Sequence, residues 1–403
     1  MTTLSDHTLP PLIGMAPLMR RAFAGEDLSP LGTALMARAQ ANPLDAHAWM
    51  DFSTVLQLTG NRAHALAVQA EAIAIQPLYT LPATAPEKVR LLVIMGPGDL
   101  MANTPIEFLV DQDVTLNLLY LTDSSQWPTQ VPEHDVLLVG VAESQSSQSL
   151  LARLARDLTD WPRPVLNPPQ SIAVLSRDGA CAVLQHIDGL LMPVTTRCDR
   201  SVLLGLATGG VALTSLLPQG EFPVIVRPLG SHAGQQLDKL DDPAALAGYL
   251  GQVDAAGFYV SRFIDYRSSD GQYRKYRIVL IDGRPYICHC AISSHWMIHY
   301  LNAGMTESAT KRAEEARCMA SFEQDFGRRH AAAFAAIHAR IGLSYLGIDC
   351  AETRDGALLI FEVDNAMVVH DMDPDALFAY KKPVMQTLFS AFRAMLERAR
   401  VAC

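Results

Sequence analysis

Two short apolar runs near the end of the chain, SYLGIDCAET and ALLIFEVDNA, are separated by Arg354-Asp355-Gly356. Turn-forming residues between two β-rich runs predict a pair of adjacent strands. These strands carry three carboxylates, Asp349, Glu362 and Asp364. Glu362 and Asp364 stand two residues apart and so share one face of a strand. Like charge inside apolar strands loses solvation and repels itself, which raises the cost of folding. Cationic partners would relieve it, and so would hard divalent ions, which favour carboxylate oxygen. A divalent metal, rather than cationic partners, is the expected relief.

The rest of the chain bounds what such a site can belong to. At 403 residues it needs more than one packed unit. Hydrophobic residues make up 49% and charged residues 18%, with a mean hydropathy of +0.13, a globular balance. The formal net charge is −10 and Lys and Arg do not accumulate anywhere. A nucleic-acid partner is therefore not expected. No apolar run reaches the roughly 20 residues of a membrane span. The start, MTTLSDHTLPPLIG, lacks the pattern of a signal peptide, so the cytoplasm is the expected location. The seven cysteines form no CxxC pair, and Cys288 and Cys290, which flank His289, read as two buried thiols of a strand rather than as zinc ligands.

Three parts follow from the pattern along the chain: a helical region over residues 1–84, a small α/β sheet over 85–165, and a longer α/β region over 166–403. In the first, Pro43 and Pro77 lie 34 positions apart, and Trp49, Leu56, Gly60, Ala65, Ala72 and Pro77 resemble the pattern of a tetratricopeptide repeat. Such a unit reads either as a packing module or as a docking site for a peptide or protein. The second contains the strand-like VRLLVIMG, LNLLYL and HDVLLVG, with a helix expected around PIEFLV. Its GPGDLMANTP lacks the further glycines of a dinucleotide-binding turn. In the third, Asp242-Pro243 suits a helix start, Asp282-Gly283 a tight hairpin, and the stretch from about Thr306 to Arg340 one long helix.

A grip for phosphate is expected beside a site of this kind. Arg227 closes a strand, Gly230, Ser231, His232 and Gly234 form a small loop, and Arg274, Lys275 and Arg277 follow in a later strand. Backbone amides in a glycine-bearing loop can approach phosphate oxygens closely.

In the order and spacing of these landmarks, residues 166–403 resemble an ATP-grasp domain, as in D-alanine-D-alanine ligases and glutathione synthetases. Asp349 precedes Glu362 by thirteen positions, and Asp364 stands where the family commonly has Asn. FPVIVRP is similar to the family's FPVVVKP, which puts Arg227 in place of a lysine on the nucleotide phosphates. Arg177 stands for an earlier lysine, and Gly230–Gly234 for the loop over the phosphates. Ser261, Arg262, Phe263 and Ile264 resemble the adenine hinge, with Asp265 or Asp270 toward the ribose.

The resemblance further implies that Arg277 and Lys275 neutralise the transferred phosphoryl group and that Asn302, with Gly304, belongs to a loop over the reacting carboxylate. It implies ATP and Mg²⁺ as cofactors, with two ions at Asp349, Glu362 and Asp364 and Mn²⁺ as an alternative. The implied fold is α/β: an ATP-grasp domain behind a small α/β domain and a helical front. The implied activity is a ligase that activates a carboxylate as an acyl phosphate and passes it to an amine. Its partners would be small-molecule or peptide carboxylates and amines, with a homodimer as a further expectation. A phosphotransferase and an ATP-binding scaffold are the alternatives. The substrate itself, and the roles of His289, His295 and His299, have no motif that decodes them.

Overall fold

The computed structural model describes residues 9–231 and 234–401. They form a mixed α/β structure that divides into two compact units. The first unit contains residues 1–142, 146–172 and 365–403, and the second residues 143–145 and 173–364.

The first unit begins with four helices, α1 (Met15–Phe23), α2 (Ser29–Ala41), α3 (Ala46–Leu58) and α4 (Arg62–Ile75). Asp45 caps α3 by accepting the Ala48 amide at 3.0 Å and is itself held by Arg38 at 2.7 Å. Gly60, at φ 85°, makes the turn between α3 and α4, which pack against each other. A sheet follows from β1 (Leu78–Leu81), β2 (Val89–Met95), β3 (Val114–Tyr120), β4 (Val136–Val139) and β5 (Val165–Leu166), in the order β1-β3-β2-β4-β5. Only β1 runs antiparallel to its neighbour. β2 and β4 are buried almost throughout, as central strands of a covered sheet must be. Helices α5 (Gln148–Asp157) and α6 (Pro169–Ile172) complete this part.

Two features of the first unit depart from the sequence reading. The segment PIEFLV forms only a single 3-10 turn over Ile106–Phe108. The chain around it is committed elsewhere: the amide of the preceding Thr104 donates to the Gly140 carbonyl, and the Glu107 carboxylate accepts the amides of Met15 and Ala16 at 3.1 and 2.9 Å. The C-terminal helix Lys381–Val401 contacts β2 and β4 and is anchored by Arg393, which donates to both oxygens of Asp113 at 2.8 and 3.1 Å. Residues 365–401 therefore pack with the first unit rather than with the 173–364 region that precedes them.

The second unit holds two antiparallel sheets. Its elements are α7 (Arg177–Leu184), β6 (Leu190–Leu191), β7 (Thr195–Asp199), α8 (Arg200–Ala207), β8 (Val224–Pro228), β9 (Asp238–Leu240), α9 (Pro243–Gln252), β10 (Gly257–Arg262), β11 (Tyr273–Ile281), β12 (Arg284–Ser293), α10 (Ala309–Ser321), α11 (Phe326–Arg329), α12 (Ala331–Ile341), β13 (Tyr345–Glu352) and β14 (Leu358–Asp364). The smaller sheet has the order β7-β10-β8-β9 and the larger β12-β11-β13-β14-β6. Asp242 caps α9 by accepting the Ala245 amide at 2.8 Å, with Pro243 in the first turn, as read from the sequence. Asp282 and Gly283, at φ 47° and 79°, form the tight turn between β11 and β12.

The expected helix over 306–340 is interrupted. It is three helices, because Asp325 leaves helical geometry and the chain turns to bury an aromatic cluster. Phe326 stacks on Tyr276 of β11 at 4.1 Å, with Phe322 and His330 beside it.

Candidate functional site

The larger sheet has one charged face. Register places Asp349 of β13 directly opposite Glu362 of β14 on one side and Arg277 of β11 on the other. Lys275, two residues before Arg277, and Asp364, two residues after Glu362, share that face. Opposed carboxylates on neighbouring strands repel, and cations interleave with them. Arg277 donates from Nε to Asp349 Oδ1 at 2.8 Å and from Nη2 to Oδ2 at 3.0 Å, and Lys275 Nζ lies 2.7 Å from Oδ2. Arg177, the first residue of α7, donates to Glu362 Oε1 at 2.6 Å and to the Phe361 carbonyl at 3.3 Å.

These pairs set the protonation states. Burial alone would raise the Asp349 carboxyl, which is 2% exposed, but Arg277 and Lys275 outweigh it and hold it well below the usual carboxylate range. Burial, the largest influence, and repulsion from Asp349 oppose ionisation of Glu362, but Arg177, Arg227 and Lys275 together outweigh them, so its pKa is lowered. Glu362 keeps 34% of its side-chain surface accessible. The sequence reading favoured metal over cationic partners as the relief for this like charge, and the structure shows cationic partners at the same carboxylates. Asp349 and Glu362 are paired with cations, and among the described residues no three acid, histidine or cysteine side chains converge closely enough to hold an ion by themselves. The reason is register: positions 275 and 277 of β11 project onto the same face as position 349.

The smaller sheet contributes a second cationic surface. Arg227 of β8 and Arg197 of β7 are both cross-strand neighbours of Tyr259 in β10, and the Arg197 guanidinium lies 5.3 Å over that ring. Arg227 is only 6% exposed. Burial, and after it the nearby Arg177, push its pKa down to about 10. It donates to the hydroxyl and carbonyl oxygens of Ser231, holding the start of the Gly230–Gly234 loop, and Gly230 takes φ 70°. Asp178 pairs with Arg197 at 2.8 Å. The adjacent residues Arg177 and Asp178 thus tie the larger sheet to the smaller one. Arg197 was not singled out from the sequence, since one arginine in an alternating strand carries no signal until its neighbours are known.

Other expected site residues are dispersed. The amide of Phe263 is already bonded to the Pro223 carbonyl at 3.1 Å, and Arg262 is an exposed partner of Glu221 at 2.7 Å. Ser261 faces the side of β10 that bears Tyr259, and Ile264 follows the end of the strand. Asp270 is paired with Arg274 at 2.7 Å, which holds its pKa down at about 2. Arg274 alternates with Lys275 and Arg277, so Asp270 belongs to the opposite face of β11, the side that carries a cavity of about 750 Å³ lined by Tyr266, Arg267, Ser268, Arg274, Tyr276 and Arg354. His232 lies outside the described residues.

Asn302 accepts the His299 amide at 2.9 Å, closing a turn over Tyr300–Asn302, and Lys275 Nζ donates to the Ile298 carbonyl at 3.3 Å. The His299 ring is near Gly234, where an added Cβ would stand 3.5 Å from Cδ2. Burial, with Lys275 and Arg277 nearby, lowers its pKa, so the imidazole is neutral at pH 7. His289 is paired with Arg277 in register, and Cys288 and Cys290 on either side of it are buried, as the alternation of a strand requires.

No family model matches the chain, and no curated protein matches it. Among solved structures it is similar to D-alanine–D-alanine ligase from Bacillus anthracis complexed with ATP, at 14% identity over 78% of this chain and 99% of that one, TM-score 0.45. It is also similar to VanG D-Ala:D-Ser ligase from Enterococcus faecalis, at 12% identity over 77% and 100%, TM-score 0.46. A RimK domain ATP-grasp protein from Sphaerobacter thermophilus DSM 20745 matches at 16% identity over 75% and 99%, TM-score 0.43. Likeness at this level says nothing of substrate, and the functional reading rests on the site itself.

Proposed function

We propose that the second unit binds ATP with Mg²⁺ and that the chain is an ATP-grasp ligase, activating a substrate carboxylate as an acyl phosphate and transferring it to an amine. The observation that carries this reading is the convergence of Arg177, Lys275 and Arg277 on Asp349 and Glu362, with Arg227 buried close by. Four cations stand against the three acids Asp349, Glu362 and Asp364, and a polyphosphate would draw on that positive charge. The thirteen-residue spacing of Asp349 and Glu362, and the FPVIVRP strand that carries Arg227, support the same assignment.

In this reading Arg227 and Arg177 hold the proximal phosphates, and the Gly230–Gly234 loop covers them with Ser231. Lys275 and Arg277 neutralise the phosphoryl group as it moves, which is where phosphoryl transfer gains most. The donor set of Asp349, Glu362 and Asp364 is all carboxylate oxygen, the chemistry Mg²⁺ prefers, and these residues would hold it. Bound there, the metal would neutralise charge on the phosphate oxygens. Backbone groups of Ser261–Ile264 would meet the base. Asn302 and the neutral His299 stand on the loop nearest the reacting carboxylate. The helical front, tetratricopeptide-like in pattern, would contribute to substrate choice.

The test is an ATP-turnover screen over pooled carboxylic acids and amines, with mass spectrometry of the products. Release of ADP and phosphate that depends on both a carboxylate and an amine supports the ligase. A phosphorylated product that accumulates without an amine points instead to a phosphotransferase. The absence of ATP binding removes the reading altogether.

A further inference from the structure

On the face of β11 that carries Arg274 and Tyr276, the cavity of about 750 Å³ falls within the size of pockets that hold small ligands, roughly 300–1,000 Å³. Its charges are unevenly placed. At one corner Arg267 and Arg354 share a single carboxylate oxygen, Asp265 Oδ2, at 2.9 and 3.6 Å. Arg354 is steadied there by donating from Nε to the Arg267 carbonyl at 2.9 Å. Two guanidinium groups against one acid leave this corner cationic, and neither Nη1 has a hydrogen-bond partner among the described residues. The hydroxyl groups of Ser268 and Ser269, in the same wall, are likewise unengaged among the described residues. Arg274 adds no charge of its own to the cavity, because Asp270 and Glu314 hold it at 2.7 and 2.5 Å.

Glu352, two residues before Arg354, lines the cavity with the opposite sign. Its Oε2 is taken by Arg329 and His330, each at 2.7 Å, and Arg329 is shared with Asp325. Its Oε1 has no partner among the described residues. A ligand anionic throughout would meet Glu352, and a cationic one would meet the arginines. A ligand with one charge of each sign satisfies both. Tyr266 and Tyr276 supply aromatic surface for whatever joins the two charges.

We propose that this cavity is a second ligand site, which binds an amino acid or short peptide as its zwitterion. The carboxylate is taken by Arg267, Arg354 and the two serine hydroxyls, and the ammonium by Glu352 Oε1. Guanidinium matches carboxylate as a planar fork, which is why a paired arginine corner selects that group. Lys275 and Arg277 project from the other face of β11, so the site uses none of the acids and cations around Asp349 and holds or fails independently of the ATP-binding reading.

Saturation-transfer NMR on the full chain, with the twenty amino acids and their glycyl dipeptides as probes, identifies the strongest binder, and calorimetry gives its affinity. That binder is expected to lose at least tenfold when its amine is acetylated or its carboxylate amidated. Arg354→Gln, at an exposed side chain, and Glu352→Gln are each expected to weaken it at least fivefold. Lys275→Met, on the opposite face, should leave it unchanged, and the non-hydrolysable ATP analogue AMP-PNP should not displace it.

Melting temperatures report whether the variants are folded, and Arg354→Gln with the two blocked ligands decides the matter if Glu352→Gln is not. The absence of any binder among the probes would overturn the site. Binding that survives acetylation would make the cavity an anion pocket and overturn the zwitterion. Displacement by AMP-PNP, or binding lost in Lys275→Met and kept in Arg354→Gln, would put the ligand on the Asp349 face and overturn the second site.

Discussion

Asp349 and Glu362 stand directly opposite one another on neighbouring antiparallel strands, and each is held by a different cation. The two acids therefore differ in what their removal does. Asp349 is shielded and satisfies two cations, so Asp349→Asn strands Arg277 and Lys275 against a neutral amide. Breaking a buried pair from one side costs about 3–5 kcal/mol. Glu362 is a third exposed, and water can replace it at Arg177. The expectation is that Asp349→Asn unfolds at distinctly lower denaturant concentration while Glu362→Gln moves the midpoint little, and that both abolish nucleotide-dependent activity. Urea titrations of the two variants check this, and equal destabilisation would contradict the asymmetry.

Arg227 makes the opposite case. It is a cation buried at 6% exposure whose bonds go to Ser231 rather than to a carboxylate, and burial pulls its pKa down to about 10. A buried charge without a full counter-charge destabilises its fold. Arg227→Met is therefore expected to melt at the same temperature as the parent or higher, while losing at least tenfold in affinity for AMP-PNP. Calorimetry for stability and for binding separates the two effects. A variant that melts lower and binds normally would make Arg227 a structural residue.

The Asp282-Gly283 turn offers a test of a feature visible in the sequence. Gly283 has φ 79°, and an added Cβ would stand 2.8 Å from His338 Cδ2. Left-handed backbone costs a residue with a Cβ roughly 1–2 kcal/mol. Gly283→Ala should lower stability by about that much, read from the denaturation midpoint.

What was legible in the sequence was local chemistry. Asp242-Pro243, Asp282-Gly283 and the alternating β13 and β14 announce their conformations because the causes lie within a few residues. The interleaving of Lys275 and Arg277 with Asp349 was not legible, since it depends on a register between strands some seventy residues apart in sequence. For the same reason Arg197 went unnoticed, as did the pairing of Asp270 with Arg274. The break at Asp325 was hidden because helical periodicity continues across it, with Phe322, Phe326 and His330 keeping a four-residue spacing. The C-terminal helix looked like part of the region before it because Arg393 and Asp113 are 280 residues apart.

The first unit carries its own dependence on pH. Asp51 accepts the amides of Ile13 and Gly14 at 2.9 and 3.0 Å, and Glu107 accepts those of Met15 and Ala16, so a buried and a half-buried carboxyl group hold four successive amides at the start of α1. Burial raises Asp51 from 3.8 to about 6 and Glu107 from 4.5 to about 7, against the opposing pull of those amides. Arg38 and His47 also act on Asp51, and Asp51 on Glu107.

A carboxyl group whose pKa is raised in the folded state binds its proton more tightly there. Its contribution is complete below the unfolded values near 4 and is lost as pH rises through about 6 to 7. Amide hydrogen exchange at residues 13–16 should therefore quicken between pH 5 and pH 8 by more than the intrinsic increase. Glu107→Gln, which cannot ionise, should flatten that excess. An unchanged slope in this variant would show that the carboxyl groups are not the titrating elements.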